Sequence, residues 1–216
     1  MRATGTDQRE QWAQTFATRP DFLGADPSEA ARDALQHFIA ADVHDLLELG
    51  AGQGRDTLLY LRAGLRVTAA DYADSGLHQV RAQAAAEGLP DRLATVLADV
   101  RERLPLDDAS FDAVYAHMLF CMSLTTPEIE SLMSEVRRVL RPGGLAVYTV
   151  RNTSDAHFGA GVGHGDDRWE MGGFVVHFFD RALIDRLAKG WEVLGIAEYE
   201  EGRLPRRLFG VTMRKS

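Results

Sequence analysis

The sequence has one cysteine, Cys121, among 216 residues. No disulfide can close within the chain, and a lone reduced thiol fits the cytoplasm. It has no apolar run of the roughly 18 residues that a membrane span needs, so no membrane partner is expected. The opening Met-Arg-Ala-Thr-Gly-Thr-Asp lacks the apolar core of a secretory signal. Basic residues are outnumbered, 24 Lys and Arg against 32 Asp and Glu, for a net charge of −8. That balance opposes broad contact with a phosphate backbone, so no nucleic-acid partner is expected. One basic cluster, Arg203, Arg206, Arg207, Arg214 and Lys215, reads as a solvated C-terminal strand face. What is present is an ordinary globular composition, 45% hydrophobic and 26% charged. A chain this long can bury roughly 70% of its unfolded surface, enough for a core without staples.

From residue 44 onward strand-like and helix-like stretches alternate, which predicts an α/β fold with a mostly parallel sheet. Asp26-Pro27-Ser28-Glu29 opens a helix that runs to Ala40, with Asp26 as a candidate cap. Strands are expected at His44–Leu49, Arg66–Ala70, Leu93–Leu97, Phe111–His117 and Leu145–Val150. Helices are expected at Gly54–Ala63, Ser75–Glu87 and from Thr126 to the stop at Arg141-Pro142-Gly143-Gly144. Residues 152–172 are polar and glycine-rich without periodicity, which predicts a functional lid or a disordered loop. Asp180 caps a further helix, and Trp191–Glu198 with Arg207–Arg214 form an antiparallel hairpin at the sheet edge. The chain divides into an N-terminal helical lid segment, 1–40, and one ligand-binding domain, 41–216.

The strongest chemical signal is Glu48-Leu49-Gly50-Ala51-Gly52-Gln53-Gly54, between a strand and a helix. Glycines there allow a tight turn and let a ligand approach the backbone, while the helix start offers free N–H groups. A dinucleotide turn spaces its glycines G-x-G-x-x-G. Here the pattern is G-x-G-x-G, with Arg55 at the last position. A pyrophosphate has little use for Glu48 beside the turn, whereas a cationic ligand is attracted to it. Asp71 ends the second strand, where a carboxylate can accept hydrogen bonds from ribose hydroxyls. That acid serves any adenosine-bearing ligand, so a nicotinamide dinucleotide stays open. Ala98-Asp99-Val100 ends the third strand, where Asp99 can accept from an adenine amino group and the Val100 amide can donate to its ring.

Residues 44–151 resemble the class I S-adenosylmethionine (SAM)-dependent methyltransferases. The resemblance rests on ELGAGQG, VTAADY, ADV, LPLDDASFDAVYAHMLF and VLRPGGLAVYTV, in that order. It implies a Rossmann-like three-layer sandwich with a seven-stranded, mostly parallel sheet in order 3-2-1-4-5-7-6 and strand 7 antiparallel. It implies SAM as cofactor, with Gly50 and Gly52 at its methionine end; Glu48, Ala51 and Arg55 are further candidate cofactor contacts. Asp71 goes to the ribose, and Tyr72, Asp99 and Val100 to the adenine. The C-terminal part is more loosely similar to the tellurite-resistance methyltransferases, through Gly52-Gln53-Gly54-Arg55-Asp56, Gly173–Phe179 and Lys189-Gly190-Trp191-Glu192. Leu204-Pro205-Arg206-Arg207 supplies arginines at the final hairpin but no histidine.

Phe22 and Gly24 are expected to cover the cofactor, in a segment that also holds Trp12, Phe16 and Leu23. His117 ends the fourth strand beside the expected methyl position. It is a candidate cofactor contact and a candidate base or acceptor-orienting group. Arg151, ending the fifth strand, is a candidate catalytic clamp for an anionic acceptor. Met118, Cys121, Met122, His157, His177 and Arg206 are candidate acceptor contacts. His157, His164 and His177 match no metal-ligand spacing, so no metal is expected. The expectation is methyl transfer to a small-molecule acceptor, with a chalcogen, thiol or other heteroatom nucleophile as candidates, by a monomer or homodimer. The rivals are an NAD(P)-dependent oxidoreductase and a SAM-binding regulatory protein without turnover.

Overall fold

The computed structural model of the protein describes residues 8–20, 22–202 and 206–216. Residues 1–7 and Asp21 of the expected lid segment, Arg203 of the basic cluster, and Leu204 and Pro205 of the final hairpin lie outside the described residues. The chain opens with helices α1 (Gln8–Thr18) and α2 (Glu29–Ala40). Strand–helix alternation follows: β1 (Asp45–Leu49), α3 (Arg55–Arg62), β2 (Arg66–Asp71), α4 (Asp74–Ala86) and β3 (Leu93–Leu97). Then come β4 (Phe111–His117), α5 (Thr126–Val139) and β5 (Leu140–Arg151). Three short strands, β6 (Val162–Gly165), β7 (Arg168–Met171) and β8 (Phe174–His177), precede α6 (Arg181–Leu187), β9 (Trp191–Glu201) and β10 (Arg206–Lys215).

Seven strands form one sheet in the order β3-β2-β1-β4-β5-β10-β9. The strands from β1 to β5 pair in parallel, and β10 runs antiparallel to both β5 and β9. This is the expected topology. Alternation along the strands builds two cores. Leu46, Val67, Ala113, Tyr115 and Val147 face α2 and α3. Leu47, Leu49, Val114, Ala116 and Tyr148 face α5 and α6. The sheet is therefore the middle of three layers. None of the helices among the described residues is long and apolar enough to cross a membrane.

Three expectations are corrected. The cap of α2 is Ser28, not Asp26: its hydroxyl accepts from the Ala31 amide at 3.0 Å. Ser28 lies one residue before the first helical position, where an oxygen reaches the third amide. Second, β5 starts at Leu140 rather than Leu145, with an irregularity where Leu140 pairs with Phe111 and Leu145 with Ala113. Third, the segment 152–172, expected as a functional lid or a disordered loop, is not disordered. It contributes β6 and β7 to a three-stranded antiparallel sheet completed by β8. Four-residue strands cut by glycine turns leave no periodicity to read.

Candidate active site

The turn after β1 carries left-handed backbone at Gly50 and Gly52, with φ of 72° and 55°. Gly52 is confined as well as bent. A Cβ there would lie 2.8 Å from Leu23 Cδ1. Gly76, in the first turn of α4, presses on the same place: a Cβ on it would lie 2.3 Å from the Gly52 carbonyl oxygen. Two helices and an N-terminal segment thus converge on one glycine turn.

Asp71, at the tip of β2, is oriented by that turn. The Gly52 amide donates to its Oδ2 at 2.9 Å and the Ala73 amide to its Oδ1 at 2.8 Å. Burial pushes its carboxyl pKa up, and the amide donors oppose the shift. Each oxygen keeps a lone pair for a further donor.

Beneath the turn, Glu48 is buried and accepts from the Thr57 hydroxyl at 2.5 Å. Burial, reinforced by the nearby Asp56 charge, pushes its pKa well above the glutamate range. Asp56 is also buried, and accepts from both the amide and the hydroxyl of Ser28 at 2.8 Å. The floor therefore gathers three acids, Glu48, Asp56 and Asp71. A floor lined with carboxyl groups suits a hydrogen-bond donor or a cation better than a pyrophosphate.

The N-terminal segment forms a cover. The α1 helix packs on α4, and Trp12, Phe16 and Leu23 face inward. The Gln53 amide accepts from Leu23 N at 3.2 Å and donates to Arg19 O at 2.7 Å. Gln79 donates to Phe16 O at 2.7 Å, and Ser75 to Ala13 O at 2.9 Å. Gln8 accepts from the Val175 amide of β8 at 3.0 Å, which joins the cover to the small sheet.

Cover and floor enclose a cavity of roughly 870 Å³ of empty space, counting its open mouth. Of the expected cofactor residues, Glu48, Gly50, Ala51, Gly52, Arg55, Asp71, Tyr72, Val100 and His117 line it. Met118 and Met122, expected at the acceptor, line it too. Phe22 and Gly24 do not. Leu23 takes the inward position between them, while Phe22 is 42% exposed and meets Trp12 edge-on at 5.9 Å. Asp99 lines a smaller adjoining pocket, which shares Tyr72, Val100, Leu119 and Met122 with the main cavity. Its carboxylate is gripped by Arg101, at 2.5 Å from Nη2 and 2.9 Å from Nε, and these bonds hold its pKa below the usual range.

The remaining expected acceptor residues lie elsewhere. Arg151 is buried in a two-pronged pair with Asp155, at 2.5 and 3.0 Å, with its guanidinium 5.1 Å from the Phe178 ring centre. His157 joins this cluster, its Nδ1 2.8 Å from Arg151 Nη2. The Cys121 thiol is buried and donates to Met118 O at 3.2 Å; burial pushes its pKa up to about 11. His177 is buried with Nδ1 2.8 Å from Leu124 O, and burial lowers its pKa. Arg206 pairs across the hairpin with Glu201, outside the cavity lining. Among the described residues no three His, Cys, Asp or Glu side chains cluster as metal ligands.

Several site residues were not singled out from sequence. Asp56 reads as an ordinary first-turn acid of α3, and its burial depends on Ser28 arriving from α2. Gly76 had a signal: a glycine inside a helix costs about 1 kcal/mol against alanine and calls for a packing reason. Leu119 lies in the segment after β4 and carries no polar mark. Glu201, 3.2 Å from His117, is brought in by the final hairpin, which no local pattern reports.

Residues 46–144 match a methyltransferase-domain family. Among curated proteins, the chain is 34% identical over 145 residues to "Methyltransferase GfsG" of Streptomyces halstedii, covering 63% of this chain and 51% of that protein. It is 31% identical over 144 residues to "24-methylenesterol C-methyltransferase 2" of Oryza sativa, covering 63% of this chain and 38% of the relative. The chain thus spans about half or less of the length of these relatives. In fold it resembles the Burkholderia thailandensis 1,6-didemethyltoxoflavin-N1-methyltransferase solved with 1,6-didemethyltoxoflavin and S-adenosylhomocysteine (SAH). The TM-score is 0.75 at 19% identity, covering 97% of this chain and 87% of that one. The sheet order, the glycine turn and the matched segment support a class I SAM-dependent methyltransferase, with SAM as its cofactor.

Proposed function

We propose that this chain binds SAM in the large cavity and methylates a small, largely apolar acceptor. The observation that carries the reading is the Gly52–Asp71 hydrogen bond at the rim of a buried acidic floor. Bound SAM supplies a methyl group on a positively charged sulfonium. Asp71 accepts from ribose hydroxyls, and its fixed orientation means little ordering is lost on binding. The glycine turn takes the methionine end through its backbone, above Glu48. Tyr72 and Val100 flank the adenine, in the pocket that Asp99 borders.

Trp12, Phe16 and Leu23 exclude water from the reacting centre. Methyl transfer gains most from alignment, on the order of 7–11 kcal/mol of barrier for well-held reactants. His117, Met118 and Met122 form the wall that orients the acceptor. The two methionine side chains fit apolar surfaces of varied shape. Arg151, Cys121, His157 and His177 are assigned structural roles, because none of them lines the cavity.

Calorimetric titration with SAM, SAH and NADH tests the cofactor assignment. Binding of SAM and SAH without NADH is expected; binding of NADH alone would replace this reading with an oxidoreductase. A panel of phenols, amines, thiols and chalcogen anions, read by SAH release, identifies the acceptor. SAM binding with no SAH release from any acceptor would favour a sensor.

A further inference from the structure

His117 faces the cavity, yet neither of its nitrogens is available there. Nδ1 lies 2.9 Å from Thr149 Oγ1, which also accepts from the Met118 amide at 3.0 Å. Nε2 is shut off from solvent, 3.2 Å from the Glu201 carboxylate but off the line of a hydrogen bond. The same carboxylate lies 3.8 Å from Arg55, and Arg55 donates to the Leu23 carbonyl of the cover at 3.1 Å. A contiguous chain of polar contacts therefore runs from the cover, through Arg55 and Glu201, to His117 and the tip of β4.

We propose that Glu201 is a positioning residue of the acceptor wall, fixing the His117 ring and coupling it to the cover through Arg55. The proposal rests on the methyltransferase reading for its consequence, while its geometry is that of Glu201, Arg55 and His117 themselves. Glu201 ends β9, opposite Arg206 at the start of β10, and its side chain is 16% exposed. A carboxylate this enclosed is costly unless paired. Although burial opposes it, the His117 contact and the Arg55 and Arg206 charges hold its pKa below the glutamate range. Glu201 and Thr149 touch His117, and Tyr115 lies parallel to it within β4; the Arg55 and Arg206 charges act on Glu201, and Tyr199 of β9 lies beside Glu201 and Thr149.

Fixed in this way, His117 offers an acceptor its ring surface and takes no proton from it. The wall then selects by shape, and the acceptor brings its own available lone pair. Loss of the Glu201 charge removes the carboxylate that Arg55 and His117 share and leaves Arg55 with Asp56 alone, at 3.8 Å.

The test is an NMR measurement of the His117 ring nitrogen resonances at fixed pH, in the free protein and with SAH, for wild type, Glu201→Gln, Glu201→Asp and Glu200→Gln. The Nε2 resonance is expected to shift in Glu201→Gln, because the carboxylate 3.2 Å away is removed. Glu201→Asp should lie between Glu201→Gln and wild type, which keeps the comparison usable if the glutamine variant does not fold. Glu200→Gln, which removes an exposed partner of Arg207, should not move it. SAH affinity should stay within about threefold of wild type, under 1 kcal/mol. An unmoved resonance in Glu201→Gln, or an equal shift in Glu200→Gln, overturns the proposal. So does a tenfold loss of SAH affinity in Glu201→Gln, which would make Glu201 a cofactor contact. If wild type binds no SAH, the methyltransferase reading fails while the ring resonances still judge Glu201.

Discussion

The Gly52 amide donates to Oδ2 of Asp71 across 2.9 Å, so the glycine turn and the acid at the next strand tip are one unit. Asp71→Ala removes the proposed ribose acceptor and frees the turn together. SAH affinity is expected to fall by about 1–3 kcal/mol, the cost of hydrogen bonds lost at a buried acceptor. Calorimetry showing unchanged affinity would remove Asp71 from the cofactor site.

Gly76→Ala sets two effects against each other. Alanine favours a helix by about 0.5–1 kcal/mol over glycine. Its Cβ, however, would meet the Gly52 carbonyl at 2.3 Å, and backbone cannot swing aside. Overpacking of this kind costs about 1–3 kcal/mol, so the clash wins. Chemical denaturation should show net destabilisation, and SAH binding should weaken because the turn is displaced. A stabilised variant would mean that α4 does not press on the turn.

Glu48 makes stability depend on pH. Burial raises its carboxyl pKa, so the folded protein keeps a proton that the unfolded chain releases. This contribution to stability is present at low pH and is lost as pH rises through the ordinary glutamate value towards the folded one. Glu48→Gln cannot titrate. The difference in thermal midpoint, variant minus wild type, should therefore grow with pH over that window. A difference constant with pH would show that Glu48 is not held protonated.

Cys121 should be inert in the native protein. Its thiol is fully buried with a pKa near 11, so little thiolate exists at pH 8. Alkylation by iodoacetamide should be slow when folded and fast in denaturant, as followed by mass spectrometry. Rapid native labelling would place the thiol at the cavity instead.

His117→Ala separates binding from turnover. It removes part of the acceptor wall and leaves Asp71 and the turn intact. SAH affinity should change by less than about 1 kcal/mol, while SAH release with the preferred acceptor slows. Equal turnover would take His117 out of acceptor positioning.

What the sequence reveals follows the range of the interactions concerned. The order of elements from Asp45 to Arg151 is local: each strand is a short apolar run and each helix start carries its own signal, such as the Thr125–Glu128 capping box. The glycine turn and Asp71 are legible for the same reason. Arg151 sits at the expected strand end, but Asp155, four residues on, takes its guanidinium. The small sheet β6-β7-β8 is hidden because its strands are shorter than any pattern window. Glu201 is hidden because a hairpin fold-back, not a motif, delivers it to His117. The cover was anticipated as a segment, but which of Phe22, Leu23 and Gly24 turns inward is decided by Gln53 capturing the Leu23 amide.

That capture has a practical corollary. The cover is fastened largely by uncharged carboxamides and a hydroxyl on Gln8, Gln53, Gln79 and Ser75, each reaching a main-chain group on the opposite side. Such fastenings are indifferent to added salt and to neutral pH, unlike ion pairs, which weaken with screening. These uncharged fastenings should accordingly persist from dilute buffer to concentrated brine, where the Arg55–Glu201 pair beside them weakens.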